Sequence, residues 1–381
     1  MEVNKIYNGD ALSILKTFPD NFIDCVVTSP PYYLCRDYGN KNIIVWDENK
    51  NCQHDFKVKE RYVHRGSANN TVQGAILNKN LEVDWKTKDG FCLKCNAWEG
   101  QLGLEPNLEL FIKHLCDIFD EVKRVLKKDG TCFVVIGDTY SGNMGKRNGW
   151  TDNKLGFTKQ GAIDRGVCLT NKTKTKYSIP SKSLMLIPFR FAIEMQKRGW
   201  IVRNVIIWKK PSCMPSSAKD RFTIDFEYVF FFVKNKKYFF NQIKEPSKYK
   251  DRGKRAKYGY NGKKIEDGYR NELPKRNAEE FAKKNCPDFR NKRCVWEVNP
   301  KGTKKESNED HFAVFPEKLI EDMILAGCPR KGIILDPFFG LGTTGLVSLK
   351  QGKNFVGIEI NQNYISLAEK RLKPFLEQQK L

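Results

Sequence analysis

The chain has 381 residues, enough for one large domain with an insert or for two domains, and its 40% apolar and 12% aromatic content is compatible with a packed core. No apolar run approaches the roughly 20 residues of a membrane span, and Met1-Glu2-Val3-Asn4-Lys5 lacks the basic-then-apolar layout of a signal peptide, so the expectation is a soluble cytoplasmic protein. A net charge of +22 argues against a polycationic partner and for a polyanion such as nucleic acid, because each neutralised phosphate releases counterions.

In chain order, Lys5-Ile6-Tyr7 is a short predicted strand, Asn8-Gly9-Asp10 a turn, and residues 11–16 a short helix. The run Ile23-Asp24-Cys25-Val26-Val27 is a buried strand that ends at Ser29, within Thr28-Ser29-Pro30-Pro31-Tyr32-Tyr33. The two prolines remove two backbone donors and fix two φ angles. What remains is a rigid rim of carbonyls, a hydroxyl and an aromatic face, suited to stacking a planar base and accepting hydrogen bonds from its amino group. Residues 38–100 are irregular and polar, an excursion from the core. From Pro106 onward, Leu108, Phe111, Leu115, Phe119, Val122 and Leu126 recur at helical steps, and Asp129-Gly130 closes that helix. His114 lies inside it and reads as a packed residue, not a catalyst. Residues 131–137 form the next buried strand, and this αβ unit argues for a mainly parallel sheet.

Residues 141–183 are a second polar, basic excursion. A helix over Pro188–Lys197 stops at Gly199, and strands Ile201–Trp208 and Phe226–Val233 follow. The loop between them, from Lys209 and Lys210 to Arg221, should lie near the catalytic face. From Lys244 to Lys305 the composition turns to Lys, Arg, Asn and Tyr. The basic stretch Lys248–Lys257, with Tyr249, Tyr258 and Tyr260 beside it, suits phosphate contacts that position without specifying. Core character returns with a helix over His311–Leu325, strand Ile333–Asp336, a helix from Thr343, strand Asn354–Ile360 and a last helix Asn363–Leu372.

The segment Asp336-Pro337-Phe338-Phe339-Gly340-Leu341-Gly342-Thr343-Thr344 joins a strand to a helix through a glycine turn. Such a turn brings backbone N–H groups and a helix N-terminus close to a ligand. Glu359 ends the following strand, where an acid can accept both hydroxyls of a ribose. No phosphate-binding glycine string is present.

These motifs together resemble the β class of S-adenosylmethionine-dependent DNA amino-methyltransferases, in which the catalytic motif precedes the cofactor motif. The resemblance rests on Gly9-Asp10, Ser29-Pro30-Pro31-Tyr32, His311-Phe312-Ala313-Val314-Phe315-Pro316, Asp336 to Thr344, and Glu359. It implies an α/β fold of the Rossmann-like S-adenosylmethionine methyltransferase type, a mainly parallel sheet with an antiparallel strand and inserted recognition segments. Residues 1–37 and 101–243 would form the catalytic half, 38–100 an insert, 244–305 a basic target-recognition region, and 306–381 the cofactor half. It also implies Ser29, Pro30, Pro31 and Tyr32 as catalytic residues. The cofactor would be bound by Asp10, Thr28, Phe312, Ala313, Phe315, Asp336, Pro337, Phe338, Gly340, Gly342, Thr343, Thr344 and Glu359. The implied partner is double-stranded DNA, with a homodimer and a companion restriction endonuclease as further expectations for a bacterial or phage-encoded enzyme.

In the implied reaction the target base is flipped out at a cost of a few kcal/mol, which stacking on Tyr32 offsets by about 1–3 kcal/mol. The Ser29 hydroxyl and Pro30 carbonyl accept hydrogen bonds from the amino group, and the methyl moves by direct displacement. Serine before Pro-Pro leans to N4 of cytosine, while N6 of adenine stays open. Attack at cytosine C5 would need a Pro-Cys nucleophile; Cys25 and Cys35 fit buried or loop thiols better. Two other readings compete. Methylation of a protein or RNA amide would usually bring Asn-Pro-Pro-Tyr after the cofactor motif, and a dead DNA-binding subunit would have damaged motifs.

The 12 cysteines, scattered and without a signal peptide, read as thiols or metal ligands. Cys52-x-His54 and Cys92-x-x-Cys95 bracket the first excursion and could complete a structural zinc site, with His64 as an alternative ligand. Zinc would order a polar stretch that has no core of its own.

Overall fold

A computed structural model of the chain describes residues 1–34, 43–47, 49–56, 90–141, 179–246, 289–300 and 315–378. Its first half holds β1 (Lys5–Asn8), α1 (Ala11–Lys16), β2 (Ile23–Thr28), β3 (Ile44–Trp46), β4 (Gly90–Phe91), β5 (Trp98–Gly100), α2 (Leu108–Val125) and β6 (Leu126–Ile136). There follow α3 (Ile187–Lys197), β7 (Ile201–Lys209), β8 (Phe226–Val233), β9 (Lys244–Pro246), β10 (Phe289–Asn291) and β11 (Val295–Glu297). The C-terminal part adds α4 (Glu317–Gly327), β12 (Ile333–Asp336), α5 (Thr343–Lys350), β13 (Asn354–Glu359) and α6 (Gln362–Gln378).

Among the described residues the central sheet has eight strands in the order β1-β13-β12-β2-β6-β8-β7-β11. Every neighbouring pair of these strands is parallel except β6–β8 and β8–β7, so that among these eight β8 runs against the others. The N-terminal and C-terminal parts of the chain meet where β2 lies beside β12, with Leu335 opposite Val26. Ligand crevices in such sheets form beyond the carboxyl ends of the strands. That edge carries Thr28, Ile136, Lys209, Asp336 and Glu359.

Period-two burial builds the layers. Along β2, Val26 faces the cluster filled by α1, α2 and α3, while Cys25 and Val27 face the cluster filled by α4. The α2 stripe is wholly internal: Leu108, Phe111, Leu115, Phe119 and Val122 are all buried. Each such side chain contributes about 1.5–3 kcal/mol by leaving water. Asn107 caps α2 by accepting from the Leu110 amide at 2.8 Å, and Asp10 caps α1 by accepting from Leu12 at 2.9 Å.

Several boundaries differ from expectation. The α2 helix stops at Val125, because Leu126 is already extended (φ −70°, ψ 135°), and β6 begins there instead of at residue 131. The α4 helix starts at Glu317, behind Pro316; residues 301–314, with Phe312 and Ala313, lie outside the described residues. The last helix runs on to Gln378. Within the basic region, β9 pairs with β10 and β11 adds a strand to the central sheet beside β7. The stretch Lys248–Lys257, Cys35 and His64 are also outside the described residues.

Candidate active site

A crevice of about 930 Å³, counting its open mouth, sits at the β2–β12 junction. Ser29 and Pro31 form one wall, and Pro337, Phe338, Gly340 and Glu359 form the other. Asp10, Ile358 and Tyr364 also line it, together with Ile44, Trp46, Gln101 and Leu102, which the sequence reading did not single out.

The glycine loop works by close approach. Gly340 has φ +52° and its amide donates to Glu359 Oε2 at 2.8 Å, while the Asn361 amide donates to Oε1 at 2.8 Å. Burial pushes the Glu359 carboxyl above its ordinary range, and these two amides pull against that. Each carboxylate oxygen keeps acceptor capacity for a hydroxyl. Gly342 has φ +73°, and a Cβ there would lie 3.0 Å from Phe339 Cε1, so its role is packing.

Behind the crevice lies a latch. Thr28 Oγ1 donates to Asp336 Oδ1 at 2.6 Å, and Thr344 Oγ1 donates to Asp336 Oδ2 at 2.6 Å. The Phe338 amide adds a third bond at 3.1 Å. Burial raises the Asp336 carboxyl to about 6, with Thr28, Thr344 and Phe338 pulling it down. Thr28, Asp336, Thr343 and Thr344 are all buried and do not line the crevice; Thr28, Asp336 and Thr344 hold its two walls together. Thr343 Oγ1 accepts from Arg371 at 3.0 Å. Phe315 packs on the opposite side of the sheet, against the cluster around Val27 and Phe231.

The proline rim is held from outside. Tyr32 donates from its hydroxyl to Glu227 Oε2 at 2.7 Å, and Lys210 pairs with the other Glu227 oxygen. A Cβ on Gly137 would fall 2.7 Å from Tyr32 Cε2, so the ring needs glycine at the end of β6. Lys210 also sits 4.4 Å from the Trp208 ring centre, and Trp208 itself is core, donating to the Val298 carbonyl at 2.8 Å. Glu227 was missed from sequence, although a lone acid in Phe226-Glu227-Tyr228-Val229-Phe230 was a legible signal. Tyr33 is buried and stacks on Phe111 at 5.2 Å. Pro30 is buried too.

His114 is buried between Trp46 and Trp98, as a packed residue. Desolvation drives the Cys25 thiol up to about 12, which excludes it as a thiolate nucleophile at neutral pH. In the first excursion, the ligand atoms of Cys52, His54, Cys92 and Cys95 all lie within 4.8 Å of one another. Desolvation acts to raise the Cys92 thiol, but the amides of Asp55, Cys95 and Lys94 and the His54 ring hold it down at about 5. Desolvation and its neighbours Cys95 and Cys92 push Cys52 up to about 11.

A largely apolar crevice with a ribose-type acid and a glycine turn on one wall and Ser29 and Pro31 on the other, Pro30 being buried and Tyr32 outside the lining, is the kind of site that takes a nucleoside cofactor. The comparisons narrow that class. The sequence model described as DNA methylase, for N6 and N4 methylation, matches residues 23–370. The type II methyltransferase M.SmaI of Serratia marcescens is 31% identical over 370 residues, covering 97% of this chain and 90% of that protein. M.XycI of Xanthomonas campestris pv. cyanopsidis is 32% identical over 370 residues, covering 96% and 87%. Among solved structures, the PvuII DNA methyltransferase (cytosine-N4-specific) is 16% identical with a TM-score of 0.49, covering 99% of this chain and 93% of that one. The chain belongs to the DNA methylase family: it is an S-adenosylmethionine-dependent DNA methyltransferase acting on an exocyclic amino nitrogen. Among the described residues no helix is long and apolar enough to cross a membrane.

The crevice fits the methyl donor by its own chemistry. Glu359 suits a ribose diol, Pro337, Phe338 and Ile358 suit a purine face, and Ser29 and Pro31 border the space left for the reacting end.

Proposed function

We propose that this enzyme methylates N4 of cytosine at a specific site in duplex DNA, with Ser29, Pro30, Pro31 and Tyr32 as the base-holding rim. S-adenosylmethionine supplies an electrophilic methyl group when bound. Glu359 takes the ribose hydroxyls, while Pro337, Phe338 and Ile358 pack on the adenine. The Ser29 hydroxyl and Pro30 carbonyl accept the two amino protons of an extruded cytosine, drawing the nitrogen lone pair out of conjugation. Tyr32, steadied by Glu227 and Gly137, stacks on the base. The N–C bond forms as the C–S bond breaks, and the amine then loses one proton to solvent, so no strong base is needed. Most of the rate gain comes from positioning and fixed dipoles.

The observation that carries this reading is the meeting of Ser29 and Pro31 with Gly340 and Glu359 around one crevice. Thr28 and Asp336, 308 positions apart in the chain, hold those walls together. Serine before Pro-Pro favours cytosine over adenine. Within this reading residues 1–37, 101–243 and 306–381 make the catalytic domain, and 244–305 contribute to target recognition. The relatives' designation as type II methyltransferases supports a companion restriction endonuclease for the same site. A cytoplasmic homodimer completes the proposal.

The test is incubation with duplex DNA and methyl-labelled S-adenosylmethionine, then digestion to nucleosides and mass analysis. N4-methylcytosine is the expected product. N6-methyladenine would move the enzyme to the adenine branch, and label on cytosine C5 would reject the mechanism.

A further inference from the structure

We infer that Cys52, His54, Cys92 and Cys95 bind a structural zinc ion that braces one wall of the donor crevice, so that metal occupancy sets donor affinity. The inference rests on the reading of that crevice as the S-adenosylmethionine site.

Geometry supports the ligand set. In a tetrahedral site with Zn–S near 2.3 Å, two sulfurs stand about 3.8 Å apart. Cys52 Sγ and Cys92 Sγ are 3.8 Å apart, far from the roughly 2.0 Å of a disulfide. Cys95 Sγ lies 3.3 Å from His54 Nδ1, close to the roughly 3.5 Å that the same geometry sets for a sulfur and an imidazole nitrogen. Three thiols and one imidazole form a closed, zinc-selective donor set without an open catalytic position. The backbone already forms the loop such a site needs. The Cys92 amide donates to the Ala97 carbonyl at 2.7 Å, the Asn96 amide donates to the Cys92 carbonyl at 2.9 Å, and Asn96 has φ +63°. The Leu93 amide donates across to the Asp55 carbonyl at 3.0 Å, joining the two ligand segments.

The connection to the crevice is covalent and short. Phe91 ends β4 immediately before Cys92, and β5 begins at Trp98, three residues after Cys95. Gly100 ends β5, and the next two residues, Gln101 and Leu102, line the crevice. Ile44 and Trp46 of β3 line it as well, and Trp46 pairs with Trp98. Strands of three, two and three residues do not form a stable sheet unaided. One side of this sheet is fixed to α2, where the His114 ring stacks on Trp46 at 4.4 Å and on Trp98 at 5.6 Å. The metal fixes the other side. Without it, β4 and the loop into β5 lose their anchor, and the Gln101–Leu102 wall shifts.

The experiment uses the full-length protein. Zinc is measured by mass spectrometry, and S-adenosylmethionine and duplex DNA affinities by titration. The samples are wild type, wild type stripped by a chelator and then restored with zinc, Cys92→Ser, and His54→Cys. The expectation is stoichiometric zinc in wild type and His54→Cys. Donor Kd should rise about tenfold on stripping and in Cys92→Ser, return on zinc restoration in the stripped wild type, and leave DNA affinity within about twofold. If Cys92→Ser does not fold, the stripped and restored wild type decides the matter. Protein that neither contains nor takes up zinc overturns the inference, as does stripped protein with unchanged donor Kd. Equal loss of donor and DNA affinity overturns the bracing role. Wild type that holds zinc but binds no S-adenosylmethionine refutes the donor-site reading instead, and is told apart by its intact metal content.

Discussion

Replacing Asp336 with Asn separates the charge of the buried latch from its hydrogen bonds. The carboxyl lies at about 6 against an ordinary 3.8, because burial outweighs the bonds from Thr28, Thr344 and Phe338. Ionising it inside the fold therefore costs about 3 kcal/mol relative to the unfolded chain. Since the folded value is the raised one, its stabilising contribution is complete below pH 3.8 and is lost as pH rises through about 6. Asparagine keeps an acceptor for Thr28 and the Phe338 amide, and Thr344 can turn its hydroxyl to the Val27 carbonyl, 3.4 Å away. The stability of wild type relative to Asp336→Asn should thus fall by about 1.5 kcal/mol between pH 5 and pH 7.5 and level off above. Asp336→Ala, which takes the acceptor from the buried Thr28 hydroxyl and from the Phe338 amide, should be less stable than Asp336→Asn at every pH, by about 2–5 kcal/mol. Urea unfolding of the three proteins at several pH values reads this out. A wild type that gains on Asp336→Asn as pH rises would refute the reasoning, because the anion would then be the favoured form.

Other consequences are equally direct. Tyr32→Ala should lower kcat by about 5- to 150-fold, the value of base stacking, with donor Kd unchanged by calorimetry. Glu227→Ala should lower kcat about tenfold, and its combination with Tyr32→Phe should cost less than the sum, because both remove one hydrogen bond. Additive losses in that cycle would detach Glu227 from the rim. Glu359→Gln should raise donor Kd about 10- to 100-fold while leaving kcat at saturating donor within a few-fold, since a charge-assisted bond is worth about 1.5–3 kcal/mol.

The strands and helices that carry the motifs were legible because their signals are local. Ile23–Thr28, Phe226–Val233 and Ile333–Asp336 are apolar runs with clear ends, and the stripe from Leu108 to Val122 has a single period. The end of α2 was not legible, because Leu126 continues the helical spacing while its backbone turns extended to meet β2. Residue types alone also do not say which side of a strand tip faces the ligand. Asp336 and Thr344 lie in the motif that shapes the crevice, yet both point into the latch, whereas Glu359 and Gly340 line the cavity. The links from Glu227 to Tyr32 and from Trp46 to the crevice come from segments distant in sequence. Such contacts exist only once the sheet order is known.

The most direct measurement is a crystal structure with duplex DNA and a methyl-donor analogue. The account predicts a cytosine outside the helix, stacked on Tyr32, its amino group bonded to Ser29 and Pro30 and lying about 3–3.5 Å from the position of the transferable methyl, with Glu359 on the ribose. A target base still paired in the duplex, or an analogue bound away from Gly340 and Glu359, would contradict it.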